Sequence, residues 1–270
     1  NTMFKKYELN YDQHKILFEY ANSLGIPFFS APFDLESVKE LNTLGVEAFK
    51  IASMEVTNIE LIEEVAKTQK PIIISSGMAT SSDIENAIKA CFKHGNYSVG
   101  ILHCTSIYPA PPASMNLRAI KTMRSTFKIP VGFSDHYAGT AVSFASLALG
   151  ASIIEKHVTL DSRLEGPDHV LSLNAEEQIE FVKGVRDIEK ALNSEGIKQP
   201  HPDEIKSEIR FKKTMYYKIN LKKGDVLTKE MIDLKAPAFG LSPRFSKFVI
   251  GRTINKNVKA GNPITNEDLL

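Results

Sequence analysis

The sequence predicts an α/β protein: a parallel (β/α)8 barrel of the TIM type followed by a small β-rich domain. Three observations carry this. Short apolar runs alternate with stretches of helical period from residue 26 to about residue 191. Each run ends on polar or ionisable side chains. Past residue 211 the alternation stops and a Gly-turn pattern repeats instead.

Taken in order, a polar opening leads into a helix over about 12–23. Apolar runs follow at 26–29, 48–51, 71–74, 98–103, 131–133 and 152–155. Each is rich in Ile, Val and Phe and too short for a helix. Between them lie patterns such as Ile59, Ile62, Val65 and Ala66, spaced as one helix face requires. Apolar strands alternating with helices imply a parallel sheet covered on both faces. Units of about 20–30 residues suit a barrel, which needs eight. Six are legible, and the opening helix already follows something, so the reading expects two units ahead of Asn1.

The expected domains are 1–192 for the barrel, 193–211 for a linker, and 212–270 for the small domain. Gly196, Pro200 and Pro202 give the linker its turn-forming composition. Within the last region, residues 222–232 parallel residues 259–269, with Gly224 matching Gly261 and Thr228 matching Thr265. Each copy reads as a Gly turn, a short strand, and a Thr capping one helical turn.

At 43% hydrophobic and 24% charged, the chain can bury a core without disulfide staples. A net charge of +1 with interspersed signs gives no support for a nucleic-acid or anionic-membrane surface. No apolar stretch is long enough to span a bilayer. Two cysteines, Cys91 and Cys104, fit a reducing compartment, and the expected location is the cytoplasm.

Barrel chemistry sits where strands end. Here the ends read Ser30-Ala31-Pro32-Phe33-Asp34, Lys50-Ile51-Ala52-Ser53, Ser75-Ser76-Gly77-Met78, His103-Cys104-Thr105-Ser106, Ser134-Asp135-His136 and Glu155-Lys156-His157. His136 and His157 close successive strands, with Asp135 and Glu155 beside them. Two such imidazoles suit a divalent transition metal with positions open for substrate. His103 reads either as a site residue or as a hydrogen-bonded core residue. Lys50, Ser53, Ser75, Ser76 and Gly77 combine a cation, hydroxyls and exposed backbone N–H groups, which suits a phosphate or carboxylate. Helix capping is the competing role for such serines. Ser81 or Ser82 with Asp83 is expected to cap the helix after the third strand, leaving Ser75 and Ser76 for a ligand. Asp168 and His169, after a Gly-Pro turn, either reach the pocket or only order their loop. No Walker, Rossmann or Cys-x-x-Cys pattern is present, so no nucleotide cofactor is indicated.

In order, Lys50-Ile51-Ala52-Ser53, Ser75-Ser76-Gly77-Met78, His103-Cys104-Thr105-Ser106-Ile107-Tyr108-Pro109, Gly132-Phe133-Ser134-Asp135-His136, Ile154-Glu155-Lys156-His157-Val158-Thr159-Leu160-Asp161 and Gly166-Pro167-Asp168-His169 resemble the sialic acid synthase family. That family includes N-acetylneuraminate, legionaminate and pseudaminate synthases and a spore-coat polysaccharide relative. The C-terminal repeat resembles its antifreeze-like SAF domain. The resemblance implies condensation of phosphoenolpyruvate with an open-chain N-acyl sugar aldehyde, N-acetylmannosamine first, giving a nonulosonic (sialic) acid and phosphate. It implies a metal, manganese first with magnesium or cobalt as alternatives, on His136 and His157. Glu155, His136 and His157 are the implied catalytic residues. Phosphoenolpyruvate contacts fall on Lys50, Ser53, Ser75, Ser106 and Ser134, and sugar contacts on Tyr108 and Asp168. A domain-swapped homodimer is implied, as are an initial Gly-x-Asn-His-x-Gly strand and a Lys-x-Gln strand that would add a Glu and a Lys.

The sequence departs from the family at Ser106, where some members have Asn, and at Ala31, where some have Thr. It departs again at Ala236, aligned with an Arg that holds the acyl group in several members; Arg244 and Arg252 are the candidate replacements. Two rival readings remain. One is an aldolase or deoxy-sugar-phosphate synthase acting on a phosphorylated acceptor. The other is a carbohydrate-binding SAF protein with an inert barrel.

Overall fold

The structure, a computed structural model, describes residues 8–270. It divides into two compact units, Asn1–Asn193 and Ser194–Leu270.

In the first unit, α1 (Tyr11–Ser23) opens with a capping box between Asn10 and Gln13 and buries none of its residues. Asp34 caps α2 (Leu35–Leu44), whose end turns on Gly45 at φ 93°. There follow β1 (Phe49–Ile51), α3 (Ile59–Lys67), β2 (Ile72–Ser75), α4 (Ser81–Lys93), β3 (Val99–Cys104), α5 (Ala119–Phe127), β4 (Val131–Asp135), α6 (Ala141–Ala148), β5 (Ile154–Lys156) and α7 (Ala175–Leu192). The five strands form one parallel sheet in sequential order, each joined to the next by a helix.

The strands have two distinct faces. Phe49, Ile51, Ile72, Ile74, Ile101 and Phe133 point outward into the two helix-covered cores. Alternation then puts Lys50, Ser75, Cys104, Ser134 and Glu155 on the other face. Register confirms this, pairing Lys50 with Ile73, Ser75 with Leu102, Cys104 with Ser134, and Ser134 with Glu155. If flat, the sheet would hold β1 and β5 about 19 Å apart, four steps of about 4.8 Å. Lys50 of β1 instead lies 3.0 Å from Glu155 of β5. The sheet is therefore curled, in the manner of a barrel wall, around its polar face.

The run at 26–29 differs from expectation. It yields one parallel bridge, Ser30 to Phe49, and no strand. Pro27 and Pro32 flank the bridge and lack donors for a longer ladder. Thr80, not Ser81 or Ser82, is the N-cap of α4, in a capping box with Asp83. Asp83 was read correctly and its partner was displaced by a residue. None of the described helices is long and apolar enough to cross a membrane.

The second unit begins with α8 (Pro202–Phe211), inside the stretch expected to be linker. Pro202 at the first helical position and the capping box of His201 with Glu204 start this helix, so proline here marks an N-terminus. Strand β6 (Thr214–Tyr217) pairs antiparallel with β7 (Ile232–Lys235). The Gly turns and single helical turns of the repeat fold as the sequence reads, whereas the short strands reduce to isolated bridges at Val226 and Pro263 and Thr228 makes no side-chain cap bond. Gly224 and Gly261 turn at φ 97° and 84°, and Thr228 and Thr265 precede matching single turns at Lys229–Met231 and Asn266–Asp268. The two copies are tied by a bridge just ahead of each, Leu221 to Val258, and by one from Val226 of the first copy to Thr253 ahead of the second. They share a core of Met215, Tyr217, Leu227, Ile254 and Ile264.

Candidate active site

The polar face of the curled sheet gathers most of the residues singled out by sequence. Glu155 is its centre. Its Oε2 lies 3.0 Å from Lys50 Nζ, and its Oε1 accepts from Ser134 Oγ at 2.6 Å and from Lys50 Nζ at 3.3 Å. Two donors expected to hold an anion thus already hold a carboxylate. Ser75 shares this face. It is 2% exposed and its Oγ has no hydrogen-bond partner. A buried hydroxyl left unpaired costs about 1–3 kcal/mol, so its position is explained if a ligand supplies the partner. Ser76, by contrast, is spent on the fold, donating to the Leu102 carbonyl at 2.8 Å.

Beside these lies a cradle of hydroxyls. The Gly77 N–H donates to Ser53 Oγ at 3.1 Å, and Ser53 Oγ donates to Cys104 Sγ at 3.6 Å. A Cβ on Gly77 would stand 2.1 Å from Ser106 Oγ and 2.7 Å from Ser53 Oγ. The absent side chain is what lets the two hydroxyls and the N–H converge.

One layer further along the barrel axis, His136 and His157 meet edge to face with ring centroids 5.2 Å apart. His136 has Cys104 as one polar neighbour of its ring, and its Nδ1 is fixed on the Thr105 carbonyl at 2.9 Å, which sets the ring's orientation. This is how metal-ligating histidines are usually oriented. The Tyr108 ring lies against His136 at 4.0 Å and edge-on to His157 at 6.0 Å. Asp168 Oδ2 is 3.8 Å from His157 Nδ1. Among the described residues no group of three or more His, Cys, Asp or Glu is set for a metal. The two rings alone are a two-imidazole donor set, which would leave an ion's other positions to water and substrate oxygens.

Electrostatics separate the two rings. Burial works against charge on His136, but the neighbouring Cys104 and the Thr105 carbonyl outweigh it and raise the pKa. Burial lowers His157, with the His136 charge adding to the effect and Asp168 opposing it. Burial pushes Cys104 up, yet His136 and Ser53 more than offset this and hold the thiol low. Burial, with the charges of Cys104, Asp168 and Glu155, pushes Tyr108 up to about 12, so it stays a neutral donor.

Asp135 and Lys156 do not join the site. Both side chains lie on the outer, helix-covered face, 0% and 2% exposed, as an ion pair at 3.1 Å. Burial lowers the Lys156 pKa while Asp135 pulls it back. His103 is on that face too, half-buried, bonded to the Met115 carbonyl at 2.7 Å and stacked on Phe133, so it serves the fold and not the site. His169 orders its loop through Thr159 at 2.7 Å, whereas Asp168 faces His157. Sequence reasoning missed Gly77 as a steric requirement, Cys104 as a neighbour of the hydroxyls, and the Thr105 carbonyl. Counting back by twos from Ser106 finds Cys104; nothing in the sequence points to the carbonyl. In the second unit, Arg252 is engaged with the Leu270 and Phe248 carbonyls, and Arg244 sits over the Phe245 ring at 5.0 Å.

The chain is similar to known proteins over most of its length. The chain is 41% identical to the N,N'-diacetyllegionaminic acid synthase of Campylobacter jejuni, over 95% of this chain and 77% of the relative. It is 35% identical to the human N-acetylneuraminate-9-phosphate synthase, over 96% and 72%. Among solved structures, N-acetylneuraminic acid (sialic acid) synthetase from Leptospira borgpetersenii, in complex with citrate, superposes with a TM-score of 0.71 at 35% identity, covering 75% of this chain and 70% of that one. The SAF domain model matches residues 215–270. With the NeuB family model matching residues 1–197, across the whole curled sheet and its polar face, the chain belongs to the NeuB family.

Proposed function

We propose that this protein condenses phosphoenolpyruvate with an open-chain N-acyl sugar aldehyde, releasing phosphate and a nonulosonic acid. The observation that carries the reading is the anion-ready polar face: Lys50 and Ser134 around one carboxylate, with the buried Ser75 hydroxyl unpartnered beside them. Phosphoenolpyruvate brings a carboxylate and a phosphate. Lys50, Ser75 and Ser134, with the rotatable hydroxyls of Ser53 and Ser106 beside Gly77, offer matching charge-assisted donors.

His136 and His157 would hold a divalent ion, manganese first, which when bound polarises the aldehyde oxygen as a Lewis acid. The remaining work falls to the chain itself. Tyr108 and Asp168, against the two rings, orient the acceptor. Fixing both substrates in register removes much of the entropic barrier, by several kcal/mol. Carbon 3 of phosphoenolpyruvate forms the new bond to the aldehyde carbon, whose oxygen takes up a proton. Water adds its oxygen to carbon 2, and phosphate departs with the bridging oxygen. The water supplies two protons, one to the new hydroxyl and one to phosphate. Glu155, touching Lys50 and Ser134, is the carboxylate positioned to steer that water.

Lys156 is turned outward to Asp135, and Lys50 is the one strand-end lysine on the polar face among the described residues, where phosphoenolpyruvate would take it. This favours an unphosphorylated acceptor. N-acetylmannosamine is one; the likeness to the Campylobacter enzyme supports its 2,4-diacetamido-6-deoxy analogue as a second reading. The test is phosphate release from the intact protein, metal-stripped and then manganese-loaded, with each acceptor in turn. Metal-dependent release with one acceptor, lost in His136→Ala and His157→Ala, supports the reading and selects the sugar. Release only with a phosphorylated acceptor, or none with any, overturns it.

A further inference from the structure

The two histidines end adjacent strands, and the residue next to each points the opposite way. Asp135 and Lys156 are register partners across β4 and β5. Their side chains meet on the outer face as a fully buried ion pair at 3.1 Å. Every atom of that pair that faces the loop is used. Asp135 Oδ1 accepts from the Tyr137 N–H at 2.7 Å, and Asp135 Oδ2 accepts from Ser143 Oγ of α6. Lys156 Nζ donates to the Tyr137 carbonyl. The backbone on either side of His136 is therefore clamped to the residue before His157.

A buried charge pair is seldom kept for stability alone, since apolar replacements of similar volume are often neutral or stabilising. What this pair adds is geometric. It fixes the offset of β4 against β5 at the layer where the imidazoles leave the sheet, and Tyr137 follows His136 directly. We propose that Asp135 and Lys156, with Ser143, are positioning residues that hold His136 and His157 at the spacing a shared ion requires, acting from the far side of the sheet without touching ligand. This rests on the metal reading of the two histidines and deepens it.

The experiment uses the intact, metal-stripped protein titrated with cobalt(II) alone, reading the visible d–d bands, with thermal unfolding in parallel. Wild type is expected to bind and His136→Ala to lose binding; failure of either removes the metal reading and this proposal with it. Given both, the paired replacement D135L/K156M is expected to fold and to bind cobalt at least about 10-fold more weakly, with an altered band pattern, the usual range for lost outer partners of a metal ligand. Should that variant not fold, Ser143→Ala removes a single bond to Asp135 and is expected to weaken cobalt binding by about threefold while lowering the midpoint by a few degrees. A folded D135L/K156M, or in its absence S143A, with wild-type affinity and bands overturns the positioning role and leaves the metal reading standing. A purely structural pair would shift only the unfolding midpoint.

Discussion

Replacing Gly77 by alanine tests the hydroxyl cradle with little disturbance elsewhere. Gly77 is not among the residues at positive φ, so the added methyl brings no left-handed strain. Its Cβ would lie 2.1 Å from Ser106 Oγ and 2.7 Å from Ser53 Oγ, well inside contact distance. These two obstacles are the ends of rotatable side chains, so the cheapest relief is to swing the hydroxyls away; Ser53 Cβ, at 3.1 Å, needs a shift of only a few tenths of an ångström. The fold survives and the cradle does not. A hydrogen bond to a charged ligand contributes about 1.5–3 kcal/mol. Two such bonds lost at the low end give about 3 kcal/mol, on the order of a hundredfold in the Kd for phosphoenolpyruvate. Calorimetric titration of G77A with phosphoenolpyruvate reads this directly, with S53A and S106A each expected near tenfold weaker. The unfolding midpoint should stay within about 4 °C of wild type. A G77A protein that binds within threefold of wild type would refute the cradle.

Ser75→Ala removes an unpartnered buried hydroxyl, so it should raise stability by up to about 1 kcal/mol in denaturant unfolding while weakening phosphoenolpyruvate binding; a loss of stability would mean the hydroxyl has a partner. Glu155→Gln leaves Lys50 without its matching charge, so phosphoenolpyruvate should bind at least as tightly while turnover drops by about 10²-fold or more, as for a lost acid–base group; unchanged kcat would remove Glu155 from the chemistry. In the second unit, Tyr217 is 0% exposed and its Oη lacks a hydrogen-bond partner. Tyr217→Phe should therefore unfold within about 1 kcal/mol of wild type, and a larger loss would indicate a bond to the nearby Asp268.

How far the sequence could be read depended on periodicity. Apolar runs at 98–103, 131–133 and 152–155, each closing on polar residues, point to one cluster of strand-end side chains that includes Ser134, Glu155 and His136, and a two-residue period within each strand then sorts the faces. The same rule, pushed one residue further, assigns Asp135 and Lys156 to the opposite face. Grouping strand ends as short motifs hid that, since Ser134-Asp135-His136 reads as one cluster while its middle residue points away. The run at 26–29 was apolar enough for a strand, but pairing is a tertiary event and only Ser30 meets a neighbour. Pro202 suggested a linker because proline favours both turns and first helical turns; the Glu204 two residues later was the discriminating signal. Contacts that come from backbone atoms, such as the Thr105 carbonyl under His136, leave no trace in residue type.

The claim that this site joins two carbon skeletons is tested most directly by the product. Manganese-loaded protein is incubated with phosphoenolpyruvate and N-acetylmannosamine or its diacetamido analogue, and the mixture is analysed by mass spectrometry. The account predicts one new acid whose mass is that of the acceptor plus a pyruvate unit, formed with one equivalent of phosphate and absent without metal. Pyruvate and phosphate without any joined product would show hydrolysis in place of condensation and contradict it.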